Sequence, residues 1–450
     1  MITDNPPAVT TVCIAGCGPA GAMLGLLLAR AGIDVVVLEK HADFLRDFRG
    51  DTVHASTLQV FAELGLLEAF EKLPQQRTTG ITLMTDRGTV LLGDFTRLPG
   101  RFQCLLMVPQ WEFLNLLTAE AQKSPSFTLH RQVEVVGLVE ENGTVTGVCY
   151  RRTDGEGMET EETELRALLT VAADGRHSAV RRAAGLAVVE FGAPLDVLWY
   201  RLPKGPEDPP GSFVRLVPGR LLPMIDRGSY WQGAYTMPKG TVSSLRAAGI
   251  EALRSDLKRA MPFLGSRVDT ALRSWADTGF LEVRVNRLRR WYRPGLLFIG
   301  DAAHAMSPVA GVGINLAIQD AVAAANTLIP SLRRGVVTPR DLRRVQRRRD
   351  LPTRVTQLIQ RGVQRQMIRA SRNSGRPAGL PAPLRLLSRI PPLLRLFSRF
   401  MAIGIRNEHV ALSPPDPAAA PARPGSVPRR AQPGDREREA AGRPGRKDCR

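Results

Sequence analysis

The feature that most constrains the fold is a glycine pattern near the N-terminus, within the segment TVCIAGCGPAGAMLGLLLARAGIDVVVLEK at residues 11–40. An apolar run leads into G-x-G-x-x-G at Gly16, Gly18 and Gly21, and two further apolar runs follow, the second ending at Glu39. This order predicts a strand, a tight turn, a helix and a second strand, the unit that begins a parallel dinucleotide-binding sheet. We therefore predict an α/β fold.

Each residue of this pattern has a separate physical task. Gly16 permits the tight turn, Gly18 lets the backbone approach a pyrophosphate, and Gly21 lets the helix press against the strand. The free N–H groups and the dipole at the helix N-terminus favour phosphate charge. Glu39 is placed to accept hydrogen bonds from ribose hydroxyls and would repel a 2′-phosphate, so the pattern predicts NAD or FAD rather than NADP.

Two later segments repeat the order of strand, turn and helix. ALLTVAADGRHSAVRRAAG, residues 167–185, ends an apolar strand at Asp174, and Ser178 is expected to cap the following helix. LLFIGDAAHAMSPVAGVGINLAIQDAV, residues 296–322, ends a strand at Asp301. Acids at strand ends contact ligands in open α/β sheets, although for the second segment taken alone a purely structural turn at Asp174 is the favoured interpretation.

The third segment also prepares a helix start. Pro308 fixes the chain, and Gly311 and Gly313 leave backbone N–H groups bare before a helix predicted from about Ile314. A helix N-terminus carries about half a positive charge. Such a site suits a ligand that becomes an anion, as a flavin does when it is reduced.

The net charge of +19 over 450 residues is not spread evenly. Residues 1–330 hold 34 Lys and Arg against 35 Asp and Glu, residues 331–410 hold 19 against 3, and residues 411–450 hold 9 against 5. The basic character therefore belongs to the C-terminal part. Because no RNA-binding or zinc-finger pattern accompanies it, we expect no nucleic-acid partner.

The remaining global features predict a reduced, cytoplasmic protein without a metal site. The five scattered cysteines have neither zinc nor disulfide spacing, and a reactive or covalently linked cysteine is the alternative. No secretion signal begins the chain, and no uninterrupted apolar run has the length of a membrane span.

The middle of the chain has a residue pattern typical of an inserted β-sheet. Short alternating strands separated by turn signals predict a substrate-binding antiparallel sheet at 191–285, and the hairpin at 79–95 is expected to join it. A sheet laid over a cofactor encloses an apolar cavity. Candidate lining residues, which fit the half-buried face of a sheet equally well, are Trp199, Met224, Tyr230, Trp231, Gln232 and Tyr235.

These observations divide the chain into five parts. Residues 1–190 and 286–332 would form the cofactor-binding domain around the inserted sheet, followed by basic C-terminal helices at 333–410 and a disordered tail at 411–450. The apolar residues near 386–401 recur at helical spacing between arginines. They indicate either terminal helices packed on the cofactor domain or, through residues 380–410, an interfacial helix on an anionic membrane.

Together the three motifs resemble those of the FAD-dependent monooxygenases of the para-hydroxybenzoate hydroxylase family, the class A flavoprotein hydroxylases. The second motif is D-G-x-x-S-x-x-R at residues 174–181, and the third is G-D-A-x-H-x-x-x-P-x-x-G-x-G-x-N at residues 300–315. The resemblance covers about residues 10–410. It implies a Rossmann-like FAD-binding domain, an inserted antiparallel β-sheet substrate domain and C-terminal helices.

The resemblance also implies roles for individual residues. Pro308 would lie near the reacting carbon of the flavin as the catalytic-site residue, and Arg49 would approach the pyrophosphate and the flavin. The two histidines His54 and His304 would shape loops by bonding the backbone, with a role as a base as the alternative. The implied FAD-binding set is Gly16, Gly18, Pro19, Ala20, Gly21, Glu39, Lys40, Arg49, Gln110, Asp174, Asp301, Gly311, Gly313, Ile314 and Asn315.

The activity that the resemblance implies is hydroxylation. NADH or NADPH would reduce FAD, and a flavin C4a-hydroperoxide would transfer oxygen to an aromatic or polyketide-like small molecule. The alternative is an FAD-dependent reductase or dehydrogenase of an isoprenoid or other lipophilic substrate. A flavin halogenase is disfavoured because the W-x-W-x-I-P pattern is absent, and a non-catalytic binding protein on the same scaffold stays open.

Overall fold

The computed structural model describes residues 6–45, 52–153, 160–218, 220–372, 386 and 388–411. The strands in these ranges are β1 (Val9–Ala15), β2 (Val35–Glu39), β3 (Thr52–Val53), β4 (Gln76–Thr78), β5 (Gly80–Thr85), β6 (Gly88–Asp94), β7 (Leu105–Met107), β8 (Phe127–Arg131), β9 (Val133–Glu141), β10 (Thr144–Arg152), β11 (Thr163–Ala172), β12 (Val188–Glu190), β13 (Leu195–Pro203), β14 (Phe213–Val217), β15 (Arg220–Asp226), β16 (Tyr230–Pro238), β17 (Thr278–Leu281), β18 (Asn286–Leu288), β19 (Tyr292–Arg293) and β20 (Leu296–Phe298). The α-helices are α1 (Pro19–Arg30), α2 (Ala55–Glu63), α3 (Leu67–Glu71), α4 (Gln110–Ala121), α5 (Ala179–Ala183), α6 (Val242–Ala247), α7 (Ile250–Ala260), α8 (Arg267–Ala271), α9 (Val312–Arg333), α10 (Pro339–Arg372) and α11 (Pro391–Ala402).

The apolar runs of the three motifs meet in one eight-stranded sheet, which we call the first sheet. Its main path is β19-β20-β11-β1-β2-β8, and β10 and β9 extend it from β11. The pairs β1–β2, β1–β11, β11–β20 and β2–β8 are all parallel. Helices α1 and α9 pack on one face of this sheet, and residues of β9, β10 and α5 pack against the other. Its central strands are therefore buried on both sides and consist mainly of apolar residues. The α/β fold class predicted from the sequence is confirmed.

A seven-stranded second sheet follows the order β17-β13-β16-β15-β14-β5-β6. The hairpin of β5 and β6 joins it from the first hundred residues of the chain. Most of its pairs are antiparallel, but β14 runs parallel to β5. The sheet is therefore mixed at one position, where the early hairpin meets a strand from the inserted segment, rather than antiparallel throughout.

Helices cover the far face of the second sheet, which the sequence analysis did not predict. In α7, Leu253 and Leu257 are buried one turn apart and pack with Tyr200, Trp231 and Tyr235 of the sheet. Arg215 and Arg254 donate hydrogen bonds to backbone carbonyls at the ends of this helical layer. The i, i+4 spacing of these leucines is typical of a helix. The alternating strands on either side led to the whole segment being interpreted as a sheet.

The described residues, which end at Ala411, fall in one compact unit. The domain boundaries that the sequence suggested therefore stay a prediction, and the proposed disordered tail lies outside the described residues, apart from Ala411. Helix α9 is long and apolar enough to cross a membrane by composition, but most of it is buried against α1 and α10. Its apolar character is explained by packing in the protein core.

Candidate functional site

A continuous cavity of about 860 Å³ brings the three motifs together. Its wall includes the β1–α1 turn, the turn after β11, the turn after β20 and the start of α9. Parallel strands place their carboxyl ends at one edge of a sheet, which is why three turns far apart in the chain meet here. The predicted site residues in the wall are Gly16, Gly18, Pro19, Ala20, Glu39, Lys40, Gln110, Asp174, Asp301, Pro308, Gly311, Gly313 and Ile314.

Two predicted residues, Gly21 and Asn315, do not line this cavity, although Ala20 and Ile314 next to them do. Arg49 falls outside the described residues. A Cβ on Gly21 would lie 2.0 Å from the carbonyl oxygen of Gly16, so this glycine is required by the contact between helix and turn. The sequence interpretation of Gly21 as a close-packing position agrees with this geometry.

The other motif glycines separate into two kinds. Gly16 and Gly311 have φ angles of +96° and +60°. A Cβ on Gly16 would collide with the backbone of Ala173, and a Cβ on Gly311 would collide with the side chain of Thr52. Gly18 and Gly313 have no such reason to be glycine, since a Cβ on either would meet no atom within 4 Å. Both line the cavity. The space next to them is the kind of cradle that a cofactor backbone contact requires.

Glu39 ends β2 beside the first glycine turn and is buried. Its carboxylate accepts hydrogen bonds from the backbone N–H groups of Cys17 at 3.0 Å and His41 at 3.1 Å. These bonds fix the carboxylate at the cavity wall. Each carboxylate oxygen has a second lone pair, so Glu39 can still accept a bond from a ribose hydroxyl.

The second and third motifs bring Asp174, Arg176 and Asp301 to the cavity wall. Asp174 accepts a hydrogen bond from the N–H of Val180, and burial raises the pKa of its carboxyl above the ordinary value. Its Oδ1 atom is buried and has no hydrogen-bond partner within the described ranges. Asp301 lies 3.6 Å from Arg176 across the cavity. Arg181 donates to the carbonyls of Ala302 at 3.3 Å and Arg176 at 2.6 Å, so it ties the second and third motifs together.

Ser178 caps α5 as predicted, since its hydroxyl accepts a hydrogen bond from the N–H of Arg181 at 2.8 Å. The capped helix holds the turn that carries Asp174 and Arg176. This cap could be predicted from the sequence because its hydrogen bond joins residues only three positions apart.

Asn315 uses its whole side chain to hold the wall in place. Its Oδ1 accepts from the N–H of His54 and from the hydroxyl of Thr57, both at 2.8 Å. Its Nδ2 donates to the carbonyls of Thr52 and Gly311 at 2.9 and 3.1 Å. The amide therefore has no capacity left for strong binding of a ligand, and only its backbone N–H is available for the predicted contact.

His304 has a different partner from the one the sequence suggested. Its Nε2 lies 2.6 Å from Oδ2 of Asp320 in α9, a carboxylate rather than a backbone group. Asp320 also accepts bonds from the N–H of Gly300 at 3.1 Å and from Nε of Arg349 at 3.0 Å. All of these side chains are buried. The prediction of a backbone partner was wrong. Asp320 lies 16 residues further along the chain, and only the packing of α9 brings it to His304.

Pro308 lies in the turn of the third motif and lines the cavity. Its flanking carbonyls, those of Ser307 and Val309, accept hydrogen bonds from Nε2 of Gln360 at 3.1 and 2.9 Å. Gln364 contacts the hydroxyl of Ser307 at 2.5 Å. Two glutamines on α10 thus fix the backbone around Pro308. The sequence analysis did not single out these glutamines, because they lie in an arginine-rich segment that was considered only for its charge.

The second sheet forms another part of the wall, and the residues of β16 alternate between its two faces. On β16, Gln232, Ala234 and Thr236 face the cavity, whereas Trp231 and Tyr235 face the helices behind the sheet. Trp231 donates to Asp208 at 2.6 Å and is fully buried there. Of the six candidate lining residues, Trp199, Met224 and Gln232 line the cavity, and Tyr230, Trp231 and Tyr235 do not. Successive strand residues point to opposite faces, so this stretch could not supply the cavity with all of its aromatics.

The C-terminal helices close the cavity, which the sequence did not indicate. Thr356, Ile359 and Val363 of α10 and Phe397 and Phe400 of α11 belong to the wall. The apolar spacing in both segments was recognised, but the surface that they cover could be identified only after folding. In the described ranges no cluster of His, Cys, Asp and Glu could hold a metal ion.

The described cysteines are all free and distant from this chemistry, except Cys17 in the first turn. Burial raises the pKa of the Cys13 thiol to about 12, and it also raises the pKa values of Cys104 and Cys149. A thiol that stays protonated is a poor nucleophile. For these three residues the structure disfavours the alternative of a reactive cysteine.

The open space beside Gly18 and Gly313, the fixed carboxylate of Glu39 and the buried Asp174 oxygen fit a dinucleotide cofactor. The family described as FAD binding domain matches residues 9–359. The chain belongs to this family. FAD is therefore its cofactor, and the predicted likeness to the class A flavoprotein hydroxylases is confirmed.

One curated relative and two solved structures illustrate what the chain is similar to. The 6-methylpretetramide 4-monooxygenase of Streptomyces rimosus is 36% identical over 395 residues, which cover 86% of this chain and 91% of that protein. The p-nitrophenol 4-monooxygenase PnpA of Pseudomonas putida superposes with a TM-score of 0.70 at 18% identity, covering 89% of this chain and 100% of PnpA. OxyS, the anhydrotetracycline hydroxylase of Streptomyces rimosus, superposes with a TM-score of 0.68 at 22% identity, covering 88% and 76%.

At these identities the two solved structures show the shared fold, and the 36% relative carries the enzyme class. The chain is an FAD-dependent oxidoreductase of the monooxygenase type. The roles of the single residues in holding FAD stay predictions.

Proposed function

We propose that this monooxygenase hydroxylates an uncharged aromatic molecule of the polyketide type, with NADH or NADPH as electron donor. The observation that carries the proposal is the continuity of the cavity. It runs from the motif glycines to an apolar wall formed by the second sheet, α10 and α11. The name of the 36% relative, a 6-methylpretetramide 4-monooxygenase, supports the same substrate class.

The distribution of charge supports an uncharged substrate. The charged side chains in the described wall all come from the part near the motifs, namely Glu39, Lys40, Glu134, Asp174, Arg176, Arg182 and Asp301. The wall contributed by the second sheet and the C-terminal helices contains apolar, hydroxyl and amide side chains. A carboxylate or phosphate without a partner is costly to bury, so this wall favours a neutral ring system.

The proposed arrangement of FAD follows the motif residues. The backbone at Gly18, Pro19 and Ala20 would hold the pyrophosphate, with Gln110 and Lys40 nearby, and Glu39 would bind the adenosine ribose. Asp301 would bind the ribityl hydroxyls. The bound FAD supplies electron acceptance and oxygen transfer, and the protein supplies position and surroundings.

The chain's own groups account for two further requirements of the reaction. The N-terminus of α9, with Gly313, Ile314 and Asn315 in its first turn, offers N–H groups and a positive dipole end to a flavin that becomes negative on reduction. The apolar wall excludes water from the space next to Pro308. Both features are fixed before substrate binds.

The nicotinamide cofactor would reach the flavin without a Rossmann domain of its own, because the sequence holds one G-x-G-x-x-G in that context. We further propose a cytoplasmic enzyme whose partner is a small aromatic or lipophilic molecule.

The test combines a flavin spectrum with coupled turnover. The purified protein is expected to be yellow and to oxidise NADH or NADPH faster when an aromatic polyketide is present. Oxygen consumption should match product formation, and ¹⁸O₂ should place one labelled oxygen in the product. Turnover that proceeds equally well without oxygen would instead identify the reductase that the sequence left open.

A further inference from the structure

Helix α11 has two sides with different surroundings. On the inner side, Phe397, Phe400 and Met401 line the cavity and pack near Phe95 of the hairpin region. The hydroxyl of Ser398 accepts a hydrogen bond from the N–H of Asp94 at 2.9 Å, which fixes the helix along β6. This inner side is fully accounted for by packing.

The outer side of α11 exposes apolar surface without a cover in the described structure. Leu393 is 40% exposed and Leu396 is 65% exposed, and Leu386, just before the helix, is 56% exposed. These are among the largest exposed apolar side chains of the molecule. Exposed leucines at adjoining helical positions are costly in water and usually mark a contact surface.

Arginines flank these leucines. Arg389, Arg395 and Arg399 are exposed, and none of them has an ion-pair partner within the described ranges. Residues 386–407 contain no Asp or Glu. At 3.6 residues per turn, Leu393 and Leu396 lie beside Phe400 on α11, and Arg395 and Arg399 lie on the other side of Leu396. The surface is therefore an apolar strip with a basic edge.

We propose that the outer side of α11 docks the enzyme on an anionic lipid surface. An amphipathic helix with leucines between arginines buries the leucines at the boundary of headgroups and acyl chains, and the arginines contact anionic headgroups. The excess of 19 basic over 3 acidic residues in 331–410 adds long-range attraction to the same surface. A nucleic acid would match the arginines but leave the leucines exposed.

Docking on this side would place the inner wall of the substrate cavity next to the lipid. Phe397 directly follows Leu396, and Phe400 lies one turn further along the same side of α11; both phenylalanines line the cavity. An apolar substrate dissolved in the bilayer would then be close to the cavity without crossing bulk water. This step rests on the proposed function, but the docking itself does not.

The experiment is co-sedimentation of the full-length holoenzyme with lipid vesicles. One set contains phosphatidylglycerol in phosphatidylcholine, and the other contains phosphatidylcholine alone. The parent protein is expected to bind the anionic set, with binding that weakens as salt is added. The double variant Leu393→Ser and Leu396→Ser is expected to bind at least about tenfold more weakly, since burial of one leucine is worth that factor or more.

A matched control is present on α10. Leu351 and Leu358 are 54% and 67% exposed, and Leu351→Ser with Leu358→Ser changes the same type of residue by the same number. This control is expected to bind like the parent. The flavin absorbance and the melting temperature of each variant report that the fold is intact, and turnover of a water-soluble substrate is measured separately.

Three outcomes would overturn the proposal. The parent could fail to bind anionic vesicles, it could bind neutral vesicles equally well, or the α10 control could lose binding while the α11 variant keeps it. If the α11 variant instead dissociates a dimer in sedimentation analysis while vesicles have no effect, the surface is an interface with a second copy.

Discussion

At the scale of single residues, the glycines of the motifs show why a cofactor must be part of the explanation. Gly16, Gly21 and Gly311 are required by the protein itself, because a Cβ there would collide with other atoms. Gly18 and Gly313 meet open space in the same test and have ordinary backbone angles. No described atom fills the space beside these two positions, and a bound molecule there would account for the absence of a side chain.

Gly18→Val tests this distinction. The valine would project into the space assigned to the pyrophosphate, so we expect FAD affinity to fall by at least about 3 kcal/mol, which is more than a hundredfold. The apoprotein should lose no more than about 1 kcal/mol, the cost of a poor N-cap. Flavin fluorescence titration and urea unfolding of the apoprotein measure the two quantities.

Gly21→Ala is the control with the opposite expectation. Its Cβ would lie 2.0 Å from a backbone oxygen, so the apoprotein itself should be destabilised by at least about 3 kcal/mol. A Gly18→Val protein that still binds one FAD tightly would remove the assigned pyrophosphate position.

Asp301→Ala tests the proposed ribityl contact. Loss of hydrogen bonds to a charged group should weaken FAD by about 1.5–3 kcal/mol. The side chain is partly exposed and its closest described cation is Arg176 at 3.6 Å, so the fold should tolerate the change. Equilibrium binding of FAD to the apoprotein measures the effect, and an unchanged dissociation constant would reject the role.

These residues also mark the limit of what the sequence could predict. Gly18, Glu39 and Asp301 were found because their task is local to a strand, a turn and a helix start. The error at Trp231 and Tyr235 has a different origin. Which face of β16 meets the cavity depends on where the whole sheet lies, and alternation alone cannot choose between the two faces.

At the scale of elements, a buried charge network joins α9, α10 and the C-terminal segment. Asp320 of α9 bonds His304 and Arg349, and Glu408 pairs with both Arg348 at 2.6 Å and Arg349 at 3.5 Å. The network crosses more than a hundred residues of sequence, so no local pattern could reveal it. It holds the turn that carries Asp301 against the helices that complete the cavity.

The network has a defined pH dependence. Burial opposes ionisation of Asp320, but His304 and Arg349 outweigh it, and the pKa of this carboxyl lies below the ordinary value. A carboxyl whose pKa is lower in the folded protein stabilises the fold above its unfolded value of about 3.9, and this stability is lost as the pH falls through the folded pKa.

Asp320→Asn should therefore destabilise the holoenzyme by about 3–5 kcal/mol at neutral pH, because Arg349 keeps its buried charge without a full partner. The difference from the parent should begin to shrink below about pH 4, where this carboxyl takes up a proton in the unfolded chain, and should vanish only below its lowered folded pKa. Urea unfolding at several pH values measures both. Glu68→Gln, which breaks an exposed pair with Lys72, is the control and should change nothing measurable.

At the scale of the whole molecule, the cavity is the contact between parts that the sequence analysis treated separately. Residues from the first sheet, the second sheet, α10 and α11 form one wall. The sequence indicated each part through its own periodicity, yet their arrangement around one space depends on long-range packing. A ligand that fills this space contacts every part at once.

This geometry predicts that FAD stabilises the molecule as one cooperative unit. FAD at a hundred times its dissociation constant should add about 2.7 kcal/mol to the stability of the folded state. The tryptophans include Trp199 and Trp231 on the second sheet and Trp291 beside the first. Because the wall includes both sheets, FAD should raise the temperature of the unfolding transition followed by tryptophan fluorescence, and flavin release should occur at the same temperature. Differential scanning calorimetry should show one transition that moves with FAD in the parent and stays in place in Gly18→Val. If the second sheet melts at an unchanged temperature while the first is stabilised, the cofactor contacts only one part of the wall, and the continuous cavity does not act as a single site.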